Sequence, residues 1–572
     1  MPPQERGDFK RSDYFSQKAL TLKIVIIGGV AGGASAATRA RRLSEECEIV
    51  LLERGQEPSF ANCGMPYYVG GEIKSRNSLL VAPIERLRQR YRLDVRIRSE
   101  ATKIDRINKH VTVSNLATGQ EYNELYDKLI IATGASPFRP ATPGIDSSRI
   151  LELRDLNDAD RMHALATANA KHAVVIGAGF IGMEVAENLV RRGIKVTIIQ
   201  ISDQILPTWD PEMITTIEDH VRKQGVDVRL NESVERFEEI EESTRLAIYL
   251  KSGVTLQADF AVVSIGVRPE SKLAIEADIV CGARGGIATN PSMQTNDPDI
   301  YAVGDAVQVL DVVTRRTTQI PLAGPANRQG RIAADHIFSR ESTYRGTQGT
   351  AIVGVFGMTA AMTGQSEKLL KRDATPHEKI YIHPMDHAGY YPGAQPMALK
   401  LLFNPTSGKL LGAQAVGTTG VDKRIDILAI AIQAGMTVFD LEEVELCYAP
   451  QYGSAKDPVN MAGFVASGVV RGDHPIIHCD AIQADSDSNH FLLDVRTEAE
   501  FAAGHIPNAI NIELDRLRER LSEIPKDRPI ATYCKVGQRG YMALRILVQK
   551  GFKVANVSGG YTSWCHRFPS GS

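Results

Sequence analysis

The chain has 572 residues, 43% of them hydrophobic, and a formal net charge of −2 at pH 7. This charge balance gives no basis for nucleic-acid binding or for a polybasic membrane anchor. No apolar run reaches the roughly 18 residues of a membrane-spanning helix, so we expect three to five globular domains.

The cysteines are few and dispersed. None forms a CxxC pair, and their number is odd: they are Cys47, Cys63, Cys281, Cys447, Cys479, Cys534 and Cys565. This pattern predicts neither a disulfide scaffold nor a metal site, and it is typical of a reducing cytoplasm. Residues 1–22 are polar and form a predicted leader that we exclude from the fold.

The first structured unit is predicted from Lys23. A short apolar strand at 23–27 enters a glycine-rich turn, a helix follows through Leu43, and a second strand at 48–52 ends on Glu53. This is the dinucleotide-binding fingerprint, although Val30 replaces its middle glycine. The predicted ligand contacts in this unit are Gly28, Val30, Ala31, Gly33, Glu53 and Arg54.

A single cysteine, Cys63, follows this unit in the run Ser-Phe-Ala-Asn-Cys-Gly-Met-Pro-Tyr-Tyr at 59–68. An internal redox dithiol needs two cysteines a few residues apart, and no second cysteine lies near Cys63. Its disulfide partner must therefore come from outside, which leaves small-thiol disulfides, persulfides, or peroxide through a sulfenic acid. We expect a helix start beside an electron-deficient ring to lower the pKa of this thiol.

A second glycine-rich unit repeats the plan at 173–200. Its strand ends on Gln200, where an acid is typical of NAD and a nearby arginine of NADP. Because residues 201–203 contain no cation, we predict NADH, with NADPH as the alternative. The predicted contacts are Gly177, Gly179, Phe180, Ile181, Gly182, Glu184, Gln200 and Gly266.

Two further strand ends, at Thr133-Gly134 and Gly304-Asp305, complete a pattern that resembles the two-dinucleotide flavoprotein disulfide reductases. The resemblance implies that the first dinucleotide is FAD, and that Thr133, Gly134, Gly304, Asp305 and Pro321 contact it. It also implies that the second nucleotide domain is inserted into the first and that a dimerisation domain follows.

The run around Cys63 and the arginine-rich helix segment at 39–42 resemble the coenzyme A disulfide reductases. This resemblance implies that coenzyme A is held by Arg39, Arg42, Ser59 and Asn62. It also implies a homodimer in which Tyr390 (or its neighbour Tyr391) and Tyr448 reach the partner's catalytic cysteine. Peroxide-reducing relatives carry a histidine at the position of Ala31, which argues against a peroxidase.

The C-terminal segment resembles a rhodanese domain. Its early motifs fit Asp494-Val495-Arg496, Glu500 and residues 504–509, where Asn508 replaces the usual glycine. Catalytic Cys534 begins a predicted loop whose backbone N–H groups form an anion cradle; the rest of the loop is Lys535, Val536, Gly537, Gln538 and Arg539. The short Cys-x4-Arg spacing favours sulfur over phosphate.

Together these features predict an α/β protein with two Rossmann-like domains, an α+β dimerisation domain and an α/β rhodanese domain. The predicted boundaries are 23–148 with 272–344 for FAD, 149–271 for NAD(P)H, 345–468 for dimerisation, 469–478 for a linker and 479–572 for rhodanese. The predicted activity is NADH-dependent reduction of coenzyme A persulfide or polysulfide. The alternatives are coenzyme A disulfide reduction, sulfur trafficking, and a flavin redox sensor or assembly scaffold whose catalysis is slow.

Overall fold

The computed structural model describes residues 21–241, 245–483 and 490–568. Almost all of the predicted leader, residues 1–22, lies outside this part. Within the described residues, no helix combines the length and apolar character needed to cross a membrane.

The first domain is built on a parallel sheet whose central strand, Lys23–Ile27, is almost entirely buried. Its Ile and Val side chains suit a sheet that is covered on both faces. In spatial order the strands are Ile300–Ala302, Lys128–Ile131, Lys23–Ile27, Glu48–Leu52 and Asp94–Arg96. The domain also contains the antiparallel strands Ser99–Asp105, His110–Asn115 and Glu121–Leu125, the short pair Val309–Leu310 and Thr317–Thr318, and the helices Ala31–Leu43, Met65–Gly70, Ile84–Tyr91, Lys272–Glu276 and Ala323–Ile337.

The second domain repeats this plan. Its parallel strands run in the order Asp227–Arg229, Lys195–Ile199, His172–Ile176, Phe260–Val263 and Ile150–Leu151. The antiparallel strands Val234–Glu239, Leu246–Leu250 and Thr255–Ala258 and the helices Leu156–Thr167, Phe180–Arg191 and Pro211–Lys223 accompany them.

The second domain is inserted into the first. The chain leaves through Ala135–Pro137 and returns through Val267–Pro269, and these two segments pair antiparallel. Strand Ile300–Ala302 then pairs with Lys128–Ile131 and completes the first sheet. The two glycine-rich turns consequently belong to two separate sheets, and the paired segments Ala135–Pro137 and Val267–Pro269 connect the two domains.

The third domain is an antiparallel sheet with helices. Its strands lie in the order Ala351–Val355, Met358–Gly364, Leu410–Gly417, Ala398–Phe403 and Glu378–Ile382. Its helices are Glu367–Arg372, Val421–Ala434, Val438–Glu443 and Pro458–Arg471.

The C-terminal domain is a parallel α/β unit. Its strands lie in the order Ile476–Ile477, Val554–Val557, Ile530–Tyr533, Phe491–Asp494 and Ile510–Asn511. Its helices are Cys479–Gln483, Glu498–Ala502, Gln538–Val548 and Gly560–Arg567.

The linker predicted at 469–478 is shorter in the structure. Helix Pro458–Arg471 continues through Gly468, and it ends at Gly472, which has a left-handed φ of +78°. Ile476–Ile477 already pairs with the C-terminal sheet. Gly468 marks a close approach within the helix instead of its end, since a Cβ there would lie 3.1 Å from the Cβ of His474.

The second and third domains share a buried ionic cluster around Lys400. The Lys400 ammonium is completely buried and lies 2.9 Å from Asp210 Oδ2, 2.5 Å from Glu212 Oε1 and 2.5 Å from Glu367 Oε2. These carboxylates have the close spacing of metal ligands, but the ammonium lies among them. Burial opposes ionisation of Glu212, yet Lys400 outweighs it and lowers the pKa of that carboxyl to about 2. Removing one member of such a cluster costs about 3–5 kcal/mol, so it fixes how these domains meet.

The C-terminal domain packs on both of these domains. Its last helix, Gly560–Arg567, contacts helix Pro211–Lys223 of the second domain. Thr215 Oγ1 donates a hydrogen bond to the carbonyl of His566 at 2.8 Å, and His478 Nε2 lies 2.8 Å from Glu378 Oε1. The domain is therefore docked by specific polar contacts.

Candidate active site

One connected cavity of about 3310 Å³ joins the first and second domains. Pockets for a single drug-sized molecule measure roughly 300–1,000 Å³, so this cavity has room for two dinucleotides. It is lined by most of the predicted nucleotide contacts: Gly28, Val30, Ala31, Glu53, Arg54, Thr133, Gly134, Gly304, Asp305, Pro321, Gly177, Gly179, Phe180, Ile181, Glu184, Gln200 and Gly266. Gly33 and Gly182 lie behind the wall, where each packs its helix against the preceding turn.

The first glycine turn fits a dinucleotide. Gly28 has a φ of +99°, and a Cβ there would lie 2.2 Å from the carbonyl oxygen of Ala132. Helix Ala31–Leu43 begins directly after it, so its unpaired N–H groups can meet a pyrophosphate. The Glu53 carboxylate accepts hydrogen bonds from the N–H groups of Gly29 at 2.8 Å and Gly55 at 2.7 Å.

Asp305 lies in a short 3-10 turn after strand Ile300–Ala302, and this turn packs against the start of helix Ala31–Leu43. Burial raises the pKa of its carboxyl to about 6. A buried carboxylate gains from a hydroxyl donor, and the ribityl hydroxyls of FAD would supply such donors. The residues of this half of the cavity therefore fit FAD.

The second glycine turn has the same construction. Gly177 has a φ of +101°, and a Cβ there would lie 2.5 Å from the carbonyl oxygen of Ser264. Gln200 occupies the position equivalent to Glu53, and its Oε1 accepts a hydrogen bond from the N–H of Ala178 at 2.8 Å. A neutral amide can thus hold the turn without placing a negative charge there.

Phe180 and Glu184 project from the helix that follows this turn. The Phe180 ring packs at 5.1 Å from the Trp209 ring and also lines the cavity. Burial raises the pKa of the Glu184 carboxyl to about 7, and the Tyr67 hydroxyl donates to it at 3.4 Å. Glu184 therefore changes its charge near neutral pH at the junction of the two nucleotide sites.

Cys63 lies at this junction. Its segment is fixed by Ser59, whose φ of +54° is unusual for a residue with a side chain, and by the Ala61 N–H, which donates to the Leu79 carbonyl at 2.8 Å. The cysteine sits in a 3-10 turn just before helix Met65–Gly70, and its side chain is open to the cavity. All seven cysteines of the chain are free in the structure.

The protein groups around Cys63 do not by themselves lower the pKa of its thiol. Burial raises the pKa of the thiol, and the carboxylates of Glu184 and Asp305 raise it further. The short turn that carries Cys63 does not offset these two negative groups. A lowered thiol pKa would have to come from a bound ring or from protonation of a carboxyl.

Of the four residues predicted to hold coenzyme A, Ser59 and Asn62 line the cavity beside Cys63. Arg39 does not, because its guanidinium is paired with Asp335 at 2.6 Å, and Arg42 is exposed on the same helix. Sequence reasoning missed other polar residues that line the same cavity: Ser35, Thr38, Asn327 and Arg328. Ser35 precedes Arg39 by one helical turn, a spacing that could have indicated it.

Tyr390 and Tyr448 come together although 58 residues separate them. Their hydroxyl oxygens lie 2.7 Å apart, and both rings are exposed, Tyr390 by 76%. Neither lines the cavity of its own chain. Large exposed aromatic side chains of this kind are typical of an interface.

Cys534 follows strand Ile530–Tyr533 in the C-terminal domain and is 1% exposed. The loop after it ends at Gly537, whose φ of +98° begins helix Gln538–Val548. Arg539 binds Glu500 through two nitrogens at 2.7 Å each, and these hydrogen bonds lower the pKa of Glu500 to about 2. Lys535 is exposed at the mouth of the loop.

The early motifs of this domain support its architecture. Arg496 and Asp494 form a buried ion pair at 2.6 Å, and the guanidinium lies 4.3 Å from the centre of the Tyr561 ring. Asn508, which replaces a usual glycine, has a φ of +65°. Asparagine tolerates this conformation better than other residues with a side chain, so the replacement preserves the turn.

Comparison with known proteins agrees with this geometry. Residues 22–330 match the model of the pyridine nucleotide-disulphide oxidoreductases, residues 350–457 match the dimerisation domain of the same enzymes, and residues 479–567 match the rhodanese-like domain. The chain belongs to the pyridine nucleotide-disulphide oxidoreductases. The predicted fold class and the family resemblance are confirmed.

Several members of this oxidoreductase family are similar along most of the chain. A coenzyme A disulfide reductase of Staphylococcus haemolyticus is 34% identical, over 78% of this chain and 99% of its own length. A crystal structure of reduced Bacillus anthracis CoADR-RHD is 47% identical with a TM-score of 0.94, covering 96% of this chain and 98% of that one. An NAD-dependent persulfide reductase from A. fulgidus is 36% identical with a TM-score of 0.88, covering 95% and 100%.

The charge of Glu184 gives a first test of the site. In Glu184→Gln, we expect the Cys63 thiol to be alkylated about threefold faster at pH 8, because the variant removes a carboxylate that opposes the thiolate. The pKa of Glu184 is about 7, so the difference from wild type should disappear below pH 6, where that carboxyl is already protonated. The rate of iodoacetamide labelling at Cys63, followed by peptide mass spectrometry, measures this.

Glu187→Gln is the matched control, since Glu187 lies on the same helix but pairs with Arg191 at 2.6 Å. Equal labelling rates at pH 8 for Glu184→Gln and wild type would contradict the electrostatic coupling.

Proposed function

We propose that this oxidoreductase uses NADH and FAD to reduce coenzyme A persulfide, or polysulfide delivered through coenzyme A, to hydrosulfide. The observation that supports this proposal is the presence of two different sulfur sites in one chain. Cys63 opens into the large cavity, and Cys534 begins a loop of a rhodanese-like domain that we expect to bind an anion. A reductase of simple disulfides has no use for a second site that carries sulfane sulfur.

In the proposed reaction, the Cys63 thiolate attacks the sulfur of coenzyme A persulfide that is attached to carbon. This forms a Cys63–coenzyme A disulfide and expels hydrosulfide, which is a better leaving group than the coenzyme A thiolate because it is less basic. FAD, when bound, would supply the electron pair of an NADH hydride for reduction of this mixed disulfide. The Cys63 thiolate and the coenzyme A thiolate would be the products of that reduction. The net reaction consumes persulfide, NADH and one proton and yields coenzyme A, hydrogen sulfide and NAD.

Residues of the chain would bind the FAD and the coenzyme A that take part in this reaction. Glu53 and the start of helix Ala31–Leu43 would hold the FAD ribose and pyrophosphate, and Asp305 would accept hydrogen bonds from its hydroxyls. Ser59 and Asn62 offer polar contacts to coenzyme A beside Cys63, and Arg328 is a cation elsewhere in the same cavity. The Arg39 guanidinium forms an ion pair with Asp335, so we do not propose it as a ligand of the coenzyme A phosphates.

NADH is the proposed electron donor. Gln200 is turned toward the glycine turn, and the residues after it, Ile201-Ser202-Asp203, include an acid and no cation. Glu232, whose carboxylate accepts a hydrogen bond from the Ser233 N–H, also lines this end of the cavity. The Glu232 carboxylate and the lack of an arginine in residues 201–203 disfavour the extra phosphate of NADPH, and the nearby Lys368 ammonium is bonded to Gln204 Oε1 at 2.5 Å.

The proposed active unit is a homodimer. Tyr390 and Tyr448 contact each other on the dimerisation domain, where both side chains are exposed and lie outside the cavity of their own chain. A phenol that reaches the partner's Cys63 would stabilise a departing thiolate by donating a hydrogen bond.

Reduction of coenzyme A disulfide is the second candidate activity, favoured by relatives of that name.

Replacement of Cys63 and replacement of Cys534 should reduce activity in different assays. Cys63→Ser should reduce NADH oxidation with either coenzyme A persulfide or coenzyme A disulfide by more than about 1,000-fold, because it removes the nucleophile. Cys534→Ser should leave turnover of coenzyme A persulfide within about twofold, yet lose turnover that begins from polysulfide or thiosulfate. Steady-state NADH oxidation with each acceptor measures these effects.

Cys281→Ser is the control for cysteine removal, because Cys281 lies outside the cavity. Equal losses with all acceptors in Cys534→Ser would count against the carrier role. A clear preference of the wild type for coenzyme A disulfide over the persulfide would favour the second candidate.

The homodimer is tested by mixing variants. A heterodimer of one Cys63→Ser subunit and one Tyr390→Phe/Tyr448→Phe subunit should contain one intact site, formed by Cys63 of the second and the tyrosines of the first. We therefore expect about half of the wild-type activity per dimer, whereas each homodimeric variant is impaired. Differently tagged subunits, purified by two affinity steps, provide the sample. Activity no higher than that of the Tyr390→Phe/Tyr448→Phe homodimer would show that the tyrosines do not act across the interface.

A further inference from the structure

The segment Ser558–Ser563 of the rhodanese-like domain has contacts on both of its sides. It follows strand Val554–Val557 and enters the last helix, Gly560–Arg567. One side meets the loop that carries Cys534, and the other side meets the dimerisation domain. It therefore forms a physical connection between the sulfur site and the body of the reductase.

The inner side of the segment holds the Cys534 loop through its backbone. The Tyr561 N–H donates to the Cys534 carbonyl at 2.8 Å, and the Thr562 N–H donates to the Lys535 carbonyl at 2.9 Å. Gly560 lies so close that a Cβ would be 2.4 Å from the Cys534 oxygen and 2.8 Å from the Gly537 nitrogen. A shift of this segment would therefore change the loop.

The outer side is held by Tyr381 and His383. The Tyr381 N–H donates to Ser558 Oγ at 3.1 Å, and His383 Nε2 lies 2.8 Å from Ser563 Oγ. Gly559 approaches the same surface so closely that a Cβ would lie 2.8 Å from the Cβ of Tyr381. These contacts leave little freedom for the segment while the domains are docked.

The supporting residues are themselves firmly placed. The Tyr381 hydroxyl donates to Glu212 at 2.7 Å, and Glu212 belongs to the buried cluster around Lys400. Burial lowers the pKa of His383 to about 3, and the neighbouring His566 adds to this effect. The His383 imidazole is therefore neutral near pH 7, and its contact with Ser563 does not depend on a charge.

We propose that Tyr381 and His383 are positioning residues for the sulfur-carrying loop, although they belong to a different domain and do not touch Cys534. Docking fixes the segment Ser558–Ser563, and this segment fixes the backbone N–H groups of residues 535–539 in the shape that binds an anion. The inference rests on the proposed role of Cys534 as a sulfur carrier.

The step that the loop serves is transfer of one sulfur atom. The Cys534 thiolate attacks the outer sulfur of thiosulfate, forms a Cys534 persulfide anion and releases sulfite. The loop N–H groups bind the thiosulfate and then the persulfide anion, so a relaxed loop should weaken substrate binding more than it slows the bond exchange. The sulfurtransferase half of this enzyme would thus depend on the reductase half for its geometry.

The test uses the full-length holoenzyme and the thiosulfate:cyanide sulfurtransferase assay. His383→Ala should raise KM for thiosulfate about twofold to tenfold with a smaller change in kcat, as expected for one lost hydrogen bond. Ser563→Ala should have the same effect, and the double variant should be no worse than either single one. NADH-dependent reduction of coenzyme A persulfide at Cys63 should stay within about twofold of wild type.

Two matched variants separate positioning from general damage. His383→Gln retains a side chain that can bond to Ser563 and should restore most of the thiosulfate affinity. His377→Ala changes a histidine of the same domain whose ring contacts the Thr375 carbonyl, and it should behave as wild type. The rate of iodoacetamide labelling at Cys534 gives a second readout that does not require turnover.

The outcomes distinguish the two proposals. A wild-type KM and labelling rate in His383→Ala, or fully additive effects of His383→Ala and Ser563→Ala, would overturn the positioning role. Failure of the wild-type enzyme to form a persulfide on Cys534 from thiosulfate would instead overturn the carrier role itself.

Discussion

The isolation of one sulfur atom is the constraint on which the rest of this structure depends. Cys63 opens into a cavity that fits two dinucleotides, and no other cysteine of the chain lines that cavity. A thiol in this position can form a disulfide only with a sulfur that enters from outside. The polar wall beside it, the paired glycine turns behind it and the exposed tyrosines on the dimerisation domain are all consistent with a site built around a visiting thiol.

The second proposed sulfur site, at Cys534, is held in a different way. Cys534 is almost completely buried, and its loop is braced through the domain interface by residues of the reductase body. The ionic cluster around Lys400 extends this bracing to the second domain. A docked domain of this kind favours sulfur transfer by a small diffusible thiol over direct contact of two mobile domains. This agrees with coenzyme A as the compound that we propose to carry sulfur between the two sites.

Much of the fold was predictable from local patterns. The first strand, its helix and the second strand follow the predicted ends, because alternation of apolar runs with glycine turns is a strong local signal. The linker was misplaced because Gly468 suggested an end, whereas it permits close packing inside a helix. A glycine does not reveal from sequence alone which of these two roles it has.

Site residues were predictable where they belong to a short sequence motif, and less predictable where their position depends on contacts between residues far apart in the chain. Cys63 and nearly all of the residues predicted to contact nucleotides line the same cavity, and Cys534 directly follows a strand of the C-terminal domain, as its motif predicts. The sequence could not show that Arg39 is occupied by Asp335, which lies almost 300 residues away, or that Glu184 and Asp305 raise the pKa of Cys63. The bracing of the Cys534 loop by Tyr381 and His383 also depends on domain docking, for which the sequence carries no motif.

The central claim is that Cys63 exchanges bonds with an external sulfur compound of the coenzyme A type. Intact-mass and peptide mass spectrometry of the enzyme, purified without reductant, tests it most directly. The account predicts a covalent coenzyme A adduct on Cys63 that is released by NADH. A disulfide between Cys63 and another cysteine of the same chain, or a thiol that never accepts coenzyme A, would contradict it.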